Sequence, residues 1–384
     1  MTHRKRALIV TTVASTIDQF CMNDIELLSE MDYKIDVAAN FYDGNNTSRE
    51  RVAEFKNELI KKGYTVNNIN FSRSPFSASN IRAYKEISSL ILKNNYSLIH
   101  CHTPIASLFT RLAARKARRK GTRVIYTAHG FHFFSGAPMI NWLLYYPIEK
   151  VCAKYTDLLI TINKEDFQRA SKVFDGTKIE YIPGVGIDVD TIRNIQVSFD
   201  SKRSELGVPH DCFLITSVGQ LNENKNHSTI IRALHQLKKD DVFCCICGKG
   251  EKEKELRHLC SQLGVSDKVI FTGYRRDIIE ILKVSNVFAF PSKREGLGVA
   301  ALEAMAAGLP IVTSNVHGIV DYSVNNETGY TCDPTDVDAF SEAFSKLYAE
   351  PNIAKSMGNY NKNSVKRFDK SNTMSQMKRI YKSS

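Results

Sequence analysis

Short apolar runs rich in β-branched residues alternate with longer amphipathic stretches along this chain. That rhythm is the signature of βαβ units, in which parallel strands are joined by helices packed on the sheet. In the first half it predicts strands at residues 7–12, 35–39, 65–69, 98–101, 123–128, 157–162 and 179–182. Helix-length segments at 17–31, 49–62, 79–94 and 140–154 lie between them. The pattern restarts at residues 212–218. A helix near 227–238, a strand at 242–247, a helix at 251–263 and strands at 268–272, 287–290 and 311–313 follow. Two doubly wound α/β domains are expected, which suits 384 residues. The expected limits are 1–188 and 189–365, with 366–384 a helical tail packing back on the first domain. Two such sheets facing a cleft bind ligands at the C-terminal ends of their strands.

Composition narrows the class. Hydrophobic residues at 43% with 24% charged describe a globular protein with buried cores. The nine cysteines form no disulfide or zinc framework. Cys244 and Cys247 make a CxxC inside an apolar run, which reads as a buried strand with reduced thiols. Reduced buried thiols suit a cytoplasmic location. The basic opening Thr2-His3-Arg4-Lys5-Arg6 precedes only four apolar residues, too few for a secretory leader. No run of 18 apolar residues is present to span a membrane. Of the net charge of +11, much lies at residues 111–123, where Arg111, Arg115, Lys116, Arg118, Arg119, Lys120 and Arg123 occur with no acid. Such a patch suits nucleic acid, an anionic membrane surface or plain water.

The most informative stretch runs from Phe290 to Pro310 and reads as strand, polar loop, helix, glycine stop and next strand. Gly296 and Gly298 open the helix, leaving its first amides accessible to a diphosphate. Glu295 in the loop and Glu303 two turns into the helix would repel phosphate, but carboxylates accept well from sugar and ribose hydroxyls. The combination points to a sugar nucleotide. After the strand at 212–218, Gly219 allows close backbone approach to phosphate and Lys225 offers countercharge. His129, before Gly130 at a strand end, is placed to donate to a sugar hydroxyl or a leaving phosphate. His132 is a second candidate beside it. Cys247-Gly248-Lys249-Gly250 lacks the third glycine of a dinucleotide fingerprint and reads as a tight turn. Asp188-Val189-Asp190 has the letters of a metal site but lies between the domains, so it is read as structural.

The run from Arg294 to Pro310 resembles the signature of glycosyltransferase family 4, with Glu295 and Glu303 at the matching spacing. The loop from Gly219 to Lys225, the pair His129-Gly130 and the interdomain run from Ile182 to Asp188 match in order, so the resemblance spans nearly the whole chain. It implies a GT-B fold and a retaining transfer from a nucleotide sugar with no metal or other cofactor. It implies that Glu295 and the amides of Gly296, Leu297, Gly298 and Val299 hold the donor sugar, and that Glu303 binds ribose. By the same resemblance Lys225 stabilises the leaving diphosphate, beside Gly219 and Gln220, and His129 contacts the sugar. The family usually has arginine at Gln220, which leaves Lys225 as the main cation. Its first loop often holds a glycine pair. Here Val13-Ala14-Ser15-Thr16 stands instead, so Thr11, Thr12, Ser15 and Thr16 offer hydroxyls on the acceptor side.

Similar sequences occur among bacterial enzymes that build exopolysaccharide, capsule or O-antigen units on a polyprenyl diphosphate. That implies a UDP-linked N-acetylhexosamine or hexose donor, a lipid-linked acceptor and a peripheral place on the inner face of the plasma membrane. The aromatic, apolar run from Phe131 to Pro147, with the basic patch, is compatible with docking on anionic lipid. Three rival readings remain. A UDP-sugar 2-epimerase shares the architecture, a dehydrogenase lacks its fingerprint here, and a nucleic-acid-binding protein leaves Glu295 and Glu303 unexplained.

Overall fold

The computed structural model describes residues 4–383; Thr2 and His3 of the basic opening lie outside them. The chain divides into two compact units, one of Met1–Val185 with Ser371–Ser384 and the other of Gly186–Lys370.

Unit 1 is built on β1 (Arg6–Val13), β2 (Lys34–Asn40), β3 (Thr65–Asn68), β4 (Leu98–His102), β5 (Arg123–Ala128), β6 (Leu158–Thr161) and β7 (Lys178–Tyr181). They pair in the order β3-β2-β1-β4-β5-β6-β7, all parallel. β4 is buried along its whole length and β1 from Ala7 onward, which is why both read as continuous apolar runs. Alternate side chains feed two cores. Ile9, Val37 and Ile125 face one layer of helices, while Leu8, Val10 and Val124 face the other. The last helix, Lys370–Lys382, adds Met377, Ile380 and Tyr381 to the first of these cores. The helix expected over 17–31 is two, Ala14–Phe20 and Met22–Glu30, separated at Cys21. The break puts Asp24 in the first turn of the second helix, where the dipole favours a carboxylate.

Unit 2 holds β8 (Phe213–Val218), β9 (Val242–Cys247), β10 (Val269–Gly273), β11 (Val287–Phe290), β12 (Ile311–Ser314) and β13 (Gly329–Cys332). Their order is β10-β9-β8-β11-β12-β13, again parallel. β13 has no expected counterpart; its sequence Gly-Tyr-Thr-Cys, half-buried at its two central residues, lacks the apolar run that marks β11 and β12. Cys244, Cys245 and Cys247 lie in β9, and all nine cysteines are free and buried. Among the described residues no helix is long and apolar enough to cross a membrane. In both sheets the strand order reverses once, between β1 and β4 and between β8 and β11. Ligands of doubly wound sheets bind at such reversal points, beyond the C-terminal ends of the strands.

Candidate functional site

In unit 2 the loops after β8 and β11 meet at the reversal point. Lys225 Nζ lies 2.6 Å from Glu295 Oε1 and sits over the Phe290 ring. Asparagines fix this meeting. Asn224 Nδ2 donates to the Arg294 carbonyl at 2.9 Å, and Lys293 N donates to the Asn224 carbonyl at 2.8 Å. Asn226 Nδ2 donates to the carbonyls of Pro291 and Pro334. The Gly219–Leu221 stretch is set against the next loop, with Gly219 N donating to Cys247 O and Leu221 N to Lys249 O, both at 3.0 Å. A side chain on Gly248 would run into the Gly219 carbonyl. The glycines after β9 thus shape the loop after β8, a role the sequence alone does not disclose.

The helix Val299–Ala307 starts at Gly298, with φ of 91° and no side-chain cap. A Cβ on Gly298 would stand 2.6 Å from the Phe290 ring and 3.0 Å from the Tyr322 hydroxyl. Glycine at this position is a steric requirement. The uncapped amides of this helix start carry the partial positive charge suited to phosphate. Glu303 lies in the second turn, and burial pushes its carboxyl up to about 7. Among the described residues it makes no hydrogen bond or ion pair. Leu297 is buried and Gln220 exposed. Tyr322, whose buried hydroxyl lacks a hydrogen-bond partner among the described residues, lies in no recognisable motif and was not expected here.

In unit 1, His129 follows β5 and is half-buried beside Phe20. Its loop is held by Asp166, whose Oδ2 accepts from Phe131 N at 2.9 Å. His129 Nε2 lies 3.1 Å from His102 Nδ1, at the end of β4. Burial lowers His129 to about 4, so its ring is neutral at physiological pH. His132 stacks on Tyr145, ring centroids 4.4 Å apart.

The acceptor-side hydroxyls need correction. Thr12 Oγ1 is bound to Thr103 Oγ1 at 2.7 Å, and Ser15 Oγ accepts from Asn46 N at 3.2 Å. Both residues are buried, and their hydroxyls are engaged in holding the strand-to-helix turn. Thr16 remains half-buried at the start of the Ala14–Phe20 helix. Asp188 caps a helix through Thr191 N and pairs with Lys370 at 2.9 Å, a structural role.

The basic patch also divides. Arg111 is 1% exposed, paired with Glu149 at 2.8 Å and stacked 4.2 Å over the Tyr126 ring. It is a core ion pair and leaves the surface patch; a helical face turned it inward. Arg118 pairs with Asp157, and Arg123 donates to the Ile380 carbonyl. Arg115, Lys116, Arg119 and Lys120 are exposed. The helix Met139–Ala153 in the same unit presents Met139 (72% exposed), Ile140 (65%) and Leu143 (68%) to solvent.

Comparison with known proteins decides the family. A model described as "Glycosyl transferases group 1" matches residues 198–364, and one described as "Glycosyl transferase 4-like" matches residues 14–163. A putative glycosyltransferase EpsD of Bacillus subtilis (strain 168) is 34% identical over 381 residues, spanning 98% of this chain and 96% of that one. The chain belongs to glycosyltransferase family 4. A further relative of this glycosyltransferase is an Escherichia coli enzyme named UDP-Gal:alpha-D-GlcNAc-diphosphoundecaprenol alpha-1,3-galactosyltransferase. It is 32% identical over 71% of this chain and 73% of its own length. A crystal structure of Anabaena HepE in complex with UDP and glucose superposes with a TM-score of 0.79 at 18% identity, covering 99% of this chain and 100% of that one. The glycosyltransferase therefore has the GT-B fold, with parallel sheets of seven and six strands.

Proposed function

We propose that this glycosyltransferase moves a hexose or N-acetylhexosamine from a UDP-sugar to a lipid-linked sugar, with retention and without a metal ion. The observation that carries this reading is the joining of the two unit 2 loops. They place a Lys225–Glu295 pair beside an uncapped helix start, with the unpartnered carboxyl of Glu303 one turn further on. The helix amides and Lys225 take the diphosphate, Glu295 the donor sugar and Glu303 the ribose hydroxyls. Unit 1 supplies His129 to a sugar hydroxyl. No side chain in these motifs stands as a covalent nucleophile. The leaving diphosphate then takes the proton of the attacking hydroxyl as the new bond forms on the face it departs from.

UDP appears in the description of a structural neighbour, and a diphosphoundecaprenol acceptor in the name of the E. coli relative. For this chain they support a role in bacterial surface polysaccharide synthesis at the inner face of the plasma membrane. The exposed Met139, Ile140 and Leu143 and the exposed Arg115, Lys116, Arg119 and Lys120 are the groups assigned to anionic lipid. A panel of nucleotide sugars offered with a polyprenyl-diphosphate-linked sugar tests the reaction. Product with the anomeric configuration of the donor is expected. Epimer formed from donor alone would favour the 2-epimerase.

A further inference from the structure

Two chains of polar side chains lead to Asp24 in unit 1, one hydrogen-bonded throughout and one stopping 3.9 Å short of it. In the first, Thr127 Oγ1 meets His100 Nε2 at 2.8 Å, and His100 Nδ1 meets the Tyr381 hydroxyl at 2.8 Å. That hydroxyl bonds Asp24. In the second, His129 Nε2 meets His102 Nδ1 at 3.1 Å, and His102 Nε2 lies 3.9 Å from Asp24 Oδ2. His102 is 1% exposed, and its Nε2 has no hydrogen-bond partner among the described residues. Asp24, His102 and His129 line one cavity of about 30 Å³, room for a single bridging water. Ligating atoms of Asp24, His100 and His102 lie within 4.8 Å of one another. Both His100 nitrogens are already bonded, so the group is wired as a network rather than a chelate.

A neutral imidazole carries one N–H, and the position of that proton decides which nitrogen donates. Burial holds His100 and His129 neutral, at about 3 and about 4, and keeps His102 well below its ordinary value. Burial pushes the Asp24 carboxyl up to about 7; in its ionised form it faces His102 Nε2 and draws the ring proton to that nitrogen. His102 Nδ1 is then a lone pair, and His129 Nε2 must donate to it. His129 Nδ1 is left as an acceptor.

We propose that Asp24 and His102 are positioning residues that hold His129 in its Nε2–H form, so that His129 Nδ1 accepts a hydrogen bond from a ligand hydroxyl. This rests on the reading of His129 as a sugar contact and sharpens it. A hydroxyl satisfies such an acceptor; an ionised phosphate oxygen, which has no proton, does not.

The test is the 15N spectrum of the full chain labelled at histidine, with transfer kinetics beside it. At pH 8, with Asp24 ionised, the wild type should show His129 as Nε2–H. Asp24→Asn is nearly isosteric. With its amide oxygen taken by Tyr381, its NH2 faces His102 and reverses the second chain. His129 should switch to Nδ1–H, and KM for the sugar substrate should rise about tenfold, the effect of one lost hydrogen bond. Tyr381→Phe cuts only the first chain and should leave the His129 form unchanged. If Asp24→Asn does not fold, His102→Phe should give mixed His129 tautomers. An unchanged His129 in a folded Asp24→Asn protein overturns the network. A switched ring with unchanged KM overturns the ligand contact and leaves the network standing.

Discussion

At the residue scale, two carboxylates in unit 2 have different tasks, and variants should separate them. Glu295→Ala removes both a sugar contact and the partner of Lys225. We expect transfer to fall at least about a hundredfold with nucleotide affinity nearly kept, read from kcat and from calorimetric titration with UDP. Full turnover would refute the assignment. Glu303 should set a pH dependence. Burial raises this acid above its ordinary 4.5 to about 7, so the native state holds its proton where the unfolded chain has lost it. Stability is therefore lost as pH climbs from about 4.5 to about 7, the reverse of a salt-bridged carboxylate. Glu303→Gln should be more stable than wild type at pH 8 and indistinguishable from it at pH 4, by thermal melts. The ionised carboxylate is the stronger acceptor for ribose hydroxyls, so UDP should bind wild type more tightly at pH 8 than at pH 6. Glu303→Gln should flatten that slope.

At the scale of elements, the parts that shape the site are backbone and core features. Gly298→Ala forces a side chain into the left-handed region against Phe290 and Tyr322. A loss of about 1–3 kcal/mol in unfolding free energy is expected, with weakened nucleotide binding. Arg111→Ala leaves Glu149 buried without its partner and should cost about 3–5 kcal/mol in denaturant melts. The double change Arg119→Glu and Lys120→Glu should leave stability unaltered and weaken binding to anionic liposomes.

Most of the strands were legible because central parallel strands are buried on both faces and carry unbroken apolar runs. The candidate residues Glu295, Lys225 and His129 stand in loops that follow strands and Glu303 in the helix beyond, so they could be picked out as motifs. Other parts were hidden for physical reasons. β13 carries a glycine and no apolar run, and the break at Cys21 carries no glycine or proline. Arg111 looks like its exposed neighbours until the helix face is known. Thr12 and Ser15 look like ligand hydroxyls until Thr103 and Asn46, 91 and 31 residues away, are seen to hold them. The Asp24–His102–His129 chain joins three separate elements, and no local pattern announces it.

At the scale of the molecule, the chain ends by returning to the unit in which it began. Met377, Ile380 and Tyr381 complete a core of unit 1. Truncation after Lys370 removes three large buried side chains, each worth about 2–5 kcal/mol. Limited proteolysis should then cut unit 1 far faster than unit 2. The central claim is that unit 2 holds a uridine diphosphate sugar through these two loops. Its most direct test is a calorimetric titration of the full chain with UDP and UDP-sugars, wild type beside Glu303→Ala. Saturable binding of UDP by wild type is predicted and, for Glu303→Ala, an affinity lower by about tenfold or more. No binding of any uridine nucleotide by wild type, or equal affinity in the variant, would contradict it.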